Sequence, residues 1–212
     1  MPRSANGANR RLGRPPDTDS AATRQRILDI ARAAFASGGY ESSTNRELAE
    51  SAGITSGALY HYFGSKLDLY LAVHDEVQEL VYARFNEAVL GASAFVARFD
   101  AVLDVAHQLN EEDPTLAAFL GAVRSDMRRH PEISSALGVQ ARRRQNFFAR
   151  LVDDGVASGE IAEANRDLLV EFVAIILIGL TDGMSHDSDS HSRAVSSIKM
   201  AMRGQLLNLP AP

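Results

Sequence analysis

The sequence predicts an all-α protein: an N-terminal three-helix helix-turn-helix domain followed by a larger helical bundle, about nine helices in total. Three observations predict it. Apolar residues recur at three- and four-residue spacing along most of the 212 residues. Capping residues, Gly and Pro punctuate those runs. No stretch of useful length alternates apolar with polar residues, and no segment repeats, so an all-α fold is expected.

Residues 1–20 are rich in Arg, Asn, Gly and Pro without an apolar period, and read as a disordered basic arm. From Thr23, Ile27, Ile30, Ala31, Ala34 and Phe35 follow helical spacing until Gly38-Gly39. Thr44 starts a second helix, because Glu47 completes a capping box. A third runs from Thr55, and Ser65 with Asp68 starts a long fourth, to about Leu90. The next covers roughly 93–110. Pro114 suits the first turn of another, ending near His130. Residues 133–158 read as one helix, weakened by Gly138, and Gly159 ends it. Asn165 caps a helix to about Met184, residues 185–192 read as a polar loop, and 193–207 form the last helix.

The composition, 45% hydrophobic and 23% charged, is that of an ordinary globular protein. The absence of Cys excludes disulfides, thiolate metal sites and cysteine nucleophiles. The opening MPRSANGANRRLGRPP lacks the apolar core of a secretory signal. Phe172–Leu180, the longest apolar stretch, falls well short of the ~20 residues that span a bilayer. No membrane association is expected. The net charge of −5 is unevenly spread. Residues 1–66 carry nine Lys/Arg against six Asp/Glu, and residues 67–212 carry thirteen against twenty-one. A basic N-terminal third on an acidic body suits a nucleic-acid-binding head.

The informative segment is TNRELAESAGITSGALYHYFGSK, Thr44–Lys66. Leu48 and Ala49 face inward on a short helix, and Ala49 is small enough to let a second helix cross close above it. Gly53 can take the positive φ of a tight inter-helix turn. Ile54 plugs the corner, Thr55 caps the second helix, and Leu59 returns to the core. This is a helix-turn-helix pattern. The second helix turns Thr55, Ser56, Gly57, Ala58, His61 and Tyr62 outward, small or polar groups that let it sit deep in a major groove. Lys66 lies at a helix N-terminus, where a cation opposes the macrodipole, and a phosphate would repair that conflict. A plain helical hairpin is the competing reading, but it does not explain Tyr60, His61 and Tyr62 displayed together.

The run Ala-Gly-Ile-Thr-Ser-Gly-Ala-Leu-Tyr-His-Tyr-Phe-Gly-Ser-Lys, Ala52–Lys66, closely resembles the signature of TetR-family transcriptional regulators. The resemblance covers Thr23–Asp68 in detail and the rest only in architecture. It implies a homodimer on palindromic, double-stranded operator DNA. Residues 21–66 would form the DNA-binding domain, and residues 67–212 a helical ligand-binding and dimerisation domain. Most such proteins are repressors released by a small molecule. Carried over by position, Thr55, Ser56, Ala58 and His61 lie on the recognition helix, while Thr44, Tyr60, Tyr62 and Lys66 meet phosphates. Gly57, Leu59 and Phe63 look structural. Asn45 departs from the family, which more often has a β-branched or small residue there. The resemblance implies a cytoplasmic, nucleoid-associated protein and neither cofactor nor catalytic residue.

In the arm, Gly13-Arg14-Pro15 with Arg10 and Arg11 resembles a minor-groove hook; an ordinary basic tail is the alternative. In the body, Phe85, Phe99, Phe119, Val123, Met127, Phe148 and Phe172 are the expected lining of a cavity for an apolar effector, with Arg124, Asp126 and His107 as candidate polar anchors. Core packing is the plainer role for most of these aromatics, Phe95 and Phe147 among them. The helix through Leu168–Leu180 is apolar nearly all round and needs partners on every side. Ala174, Ile175, Ile178, Ala194, Ile198, Ala201 and Met202 are therefore expected in a four-helix dimer interface, with Gly179 permitting close approach. His186-Asp187-Ser188-Asp189-Ser190-His191 reads as a polar connector rather than a metal site. An enzyme is the rival class, but no phosphate-binding Gly loop, nucleophile elbow or His-Glu-x-x-His occurs. A DNA-binding protein without a ligand, or regulated by a partner protein, also fits.

Overall fold

The computed structural model describes residues 16–138, 141–183 and 188–207. Among them are ten α-helices and no strand: α1 (Pro16–Gly38), α2 (Asn45–Ser51), α3 (Ser56–Tyr62), α4 (Lys66–Val89), α5 (Phe95–Glu112), α6 (Pro114–Arg129), α7 (Pro131–Gly138), α8 (Ala141–Ala157), α9 (Arg166–Gly183) and α10 (Ser188–Met202). Short 3₁₀ turns cover Tyr40–Ser42 and Glu163–Asn165. Several starts are written in the sequence. Thr44, Thr55, Ser65 and Asp113 each accept a backbone N–H of the helix they begin. Pro114 follows Asp113 at the first position of α6, where a missing N–H costs nothing.

Three expectations about elements change. First, α1 begins at Pro16 rather than Thr23, which takes the end of the expected arm into a helix. Ser20–Ala22 are exposed, so this part of α1 has no apolar period to read. Second, the helix expected over 133–158 is two, α7 and α8. Ile133 and Leu137 bury one turn, whereas Phe147, Phe148, Leu151 and Val152 bury a separate stripe. This split raises the count above nine. Third, α10 starts at Ser188, inside the expected loop, and ends at Met202, with Gly204 at φ +65° just beyond. His191 does the work of a core residue there, at 2% exposure, so an apolar pattern missed it.

The head and the body meet around three buried rings. Phe35 of α1 lies 5.0 Å from Tyr70 of α4, and Tyr70 lies 5.3 Å from Phe119 of α6. All three are fully buried. The long helix α4 therefore serves both domains, packing on α1 and on α5. Arg32 of α1 adds a second tie, donating to Asp113 at 2.7 Å and Thr115 at 3.0 Å at the start of α6. Polar groups also hold α10 on α5. Lys199 pairs with Asp104, and Arg203 with Asp100. The rings of His107 and His191 lie near parallel, their Nδ1 atoms 3.2 Å apart.

One of those Nδ1 atoms must be an unprotonated acceptor. Burial, and then the neighbouring His107, push the pKa of His191 below the usual histidine value, and Glu111 opposes them. The folded chain thus binds fewer protons here than the unfolded chain, so stability falls as pH drops below about 6.5. A fall in denaturant midpoint between pH 7 and pH 5 is expected, reduced in His191→Gln. The same pH profile in both proteins would count against the histidine pair as its source.

Candidate nucleic-acid interface and its link to the body

The helix-turn-helix is built as its residues require. Ala49 is fully buried, and Leu48 and Leu59 nearly so. Gly53 takes φ +68°, and the Ile54 N–H returns to the Ala49 carbonyl at 3.0 Å, closing the turn. Thr55 Oγ1 accepts the Ala58 N–H at 3.1 Å. This positions α3 with Gly57, Tyr60 and His61 exposed, and Ser56, Ala58 and Tyr62 half-buried. The rings of His61 and Tyr62 meet edge-on at 5.9 Å.

Two of the expected phosphate contacts are already engaged within the chain. At Thr44 the hydroxyl and the backbone N–H both donate to Glu47 Oε2, at 2.9 and 2.7 Å. These bonds hold the Glu47 carboxyl below its usual pKa. A phosphate at Thr44 would exchange with this carboxylate. At Tyr60 the phenol oxygen accepts a hydrogen bond from Asn45 Nδ2 at 2.9 Å. The Tyr60 hydroxyl proton then remains available to an outside acceptor. Asn45, noted in the sequence only as a departure, thereby aims a recognition-helix side chain.

Lys66 also has a partner within the chain. Its ammonium lies 4.5 Å from the ring centroid of Tyr40. This cation–π contact offsets the cost of a cation in the first turn of α4 without any phosphate. Tyr40 is itself held from the body. Its N–H donates to Asp126 Oδ2 of α6 at 2.8 Å, and Tyr70 Oη donates to the same oxygen at 2.8 Å. Gly39, just before Tyr40, has φ +77°, and a Cβ there would stand 2.8 Å from Asp126 Oδ1. Burial and the Asp126 carboxylate raise the Tyr70 phenol far above its usual pKa, so it stays a donor. Tyr40 and Asp126 thus connect the DNA-binding head to α6. Nothing in their sequence neighbourhood signals this, because they are 86 residues apart.

On its other side α6 walls a cavity of about 120 Å³. Phe85, Val123, Met127 and Phe148 line it as expected, with Tyr82, Leu120, Leu137 and Leu177. Phe99 and Phe119 do not; both are fully buried in the core. Phe172 is 41% exposed on α9 and points elsewhere. Of the expected polar anchors, Arg124 lines the cavity together with His74, Gln78 and Thr181. Asp126 instead serves Tyr40 and Tyr70, and His107 pairs with His191.

Of the expected dimer residues, Ile175 is 66% exposed and Ala201 is also exposed. Ala174, Ala194, Ile198 and Met202 are half-buried against their own core. Ile178 lines the cavity instead. Arg10, Arg11 and Arg14 lie outside the described residues, as do His186 and Asp187. Among the described residues no group of three or more His, Asp or Glu could hold a metal ion. No described helix is long and apolar enough to cross a membrane.

Residues 27–73 match the family described as bacterial regulatory proteins, tetR family. The HTH-type transcriptional regulator UidR of Escherichia coli K12 is 27% identical over 177 residues, which cover 84% of this chain and 87% of UidR. The HTH-type transcriptional repressor KstR2 of Mycolicibacterium smegmatis is 34% identical over 97 residues, 41% of this chain and 47% of KstR2. The transcriptional regulator FadR from Bacillus subtilis, solved in complex with stearoyl-CoA, superposes with a TM-score of 0.72 at 19% identity, covering 87% of this chain and 97% of that one. With its helix-turn-helix assembled as described, the chain carries over residues 27–73 the DNA-binding domain of the tetR family, and it is a DNA-binding transcriptional regulator.

Proposed function

We propose that this protein is a cytoplasmic repressor that binds a palindromic operator as a homodimer and leaves it when an apolar small molecule enters the α6-walled cavity. The observation that carries this reading is the contact chain Lys66–Tyr40–Asp126, which ties the cation at the start of α4 to a cavity-forming helix. A ligand that shifts α6 alters the support under Lys66, and coupling of this kind is reciprocal. KstR2 is named a repressor and FadR holds an acyl thioester, which supports repression and an apolar effector.

Dimerisation rests on α9. Leu168, Phe172 and Ile175 are exposed at helical spacing, forming an apolar stripe on one face. A second copy would cover it, and would present two recognition helices one DNA turn, about 34–36 Å, apart. On the head, Thr55, Ser56, Ala58 and His61 face bases, while Thr44, Tyr60, Tyr62 and Lys66 hold phosphates.

A footprint over a short palindrome, lost on adding the effector, is the direct test. A footprint that no small molecule changes would favour a ligand-independent regulator. Ile175→Glu should leave the fold intact and the protein monomeric by sedimentation, with operator affinity reduced at least about tenfold; a dimeric variant would move the interface elsewhere. Lys66→Ala should weaken binding to all sequences alike and lower the salt slope by about one per recognition helix. Substitution of Ser56 or His61 should change base preference instead. Tyr60→Phe and Asn45→Ala should each cost about 1 kcal/mol of binding, and together less than their sum. Strict additivity would separate the two residues.

A further inference from the structure

A second depression adjoins the effector cavity. It holds about 390 Å³ between the end of α1 and α6. Its α1 wall is Ala36, Ser37, Gly38 and Gly39, small residues that leave it open. Its α6 wall carries Arg124, Arg128 and Arg129. Its lining thus holds three arginines and one acidic residue, Asp126, whose buried carboxylate accepts from Tyr40 and Tyr70. Arg124 and Thr181 line both this groove and the apolar cavity, so the two spaces meet at these side chains.

We infer that the effector is an amphipathic anion, its apolar part in the cavity and its carboxylate or phosphate at Arg124, facing the arginine-lined groove. This rests on the proposed role of the cavity as the effector site. The lining holds both kinds of group that such a ligand needs. Phe85, Leu137 and Phe148 make an apolar part of the cavity, while His74, Gln78 and Arg124 supply its polar groups. A guanidinium offers the paired donors that a carboxylate or phosphate accepts. Arg128 and Arg129 sit in the last turn of α6, where cations also complement the helix dipole without any ligand. Arg124 lies more than a turn before the helix end and borders both spaces. An anion drawn to these arginines is repelled by the last carbonyls of α1. Its entry therefore loads the α1–α6 contact that carries the DNA-binding head.

Isothermal titration of the full chain with decanoate, decanoyl-CoA and decanol tests this. At least one anion should bind about tenfold or more tighter than decanol. Arg124→Gln should abolish that preference, read as the ratio of anion to decanol affinity within the variant, while Arg124→Lys should keep part of it. The double variant Arg128→Gln, Arg129→Gln separates the sources. Weaker binding of decanoyl-CoA alone places a phosphate in the groove; a preference for decanoate untouched by the double variant places a carboxylate at Arg124. Equal affinity of all three probes for the unsubstituted protein would overturn the anionic subsite and leave the apolar cavity standing as the effector site. Binding of none would overturn both.

Discussion

One buried carboxylate holds the two halves of this molecule in register. Asp126 is 4% exposed and accepts hydrogen bonds from Tyr70 of α4 and the Tyr40 backbone before α2. A buried charge is costly unless its lone pairs are satisfied. Here both donors are supplied by structure that also forms the DNA-binding head. The approach is close enough to demand Gly39, whose positive φ and missing side chain make room for Asp126. The rings of Phe35, Tyr70 and Phe119 pack beside this polar centre.

The rest follows from what α6 touches. One face meets α1, through Asp113 with Arg32 at one end and Asp126 with Tyr40 at the other. Another face lines the cavity with Val123, Arg124 and Met127. Asp126 lies between Arg124 and Met127 in sequence, so a displacement of the cavity wall cannot leave it in place. Packed interiors shift between discrete arrangements rather than deform continuously. A regulator needs such an element, biased by a ligand on one side and DNA on the other.

The reading head was legible because its determinants are local. Capping by Thr44, Thr55 and Ser65, the positive φ of Gly53 and the burial of Ala49 and Leu59 each depend on residues a few positions apart. The cavity was half legible. Phe85, Val123, Met127 and Phe148 line it, but Phe99 and Phe119 share their apolar character and sit in the core. Periodicity tells which face of a helix is buried, not whether that face meets a side chain or a space. Phe172 and Ile178 exchange their expected places for the same reason: on a helix apolar all round, the inward and outward stripes look alike.

The sequence by itself determined the helical class, most helix starts and the helix-turn-helix. These are short-range matters of propensity, capping and spacing. Tertiary structure alone decided that Tyr40 shields Lys66, that Asn45 aims Tyr60, that His191 completes a core, and that Asp126 joins head to body. Each is a contact between polar or aromatic groups from different elements. Their geometry exists only once the helices have packed, because no periodic pattern encodes the partner of a polar side chain.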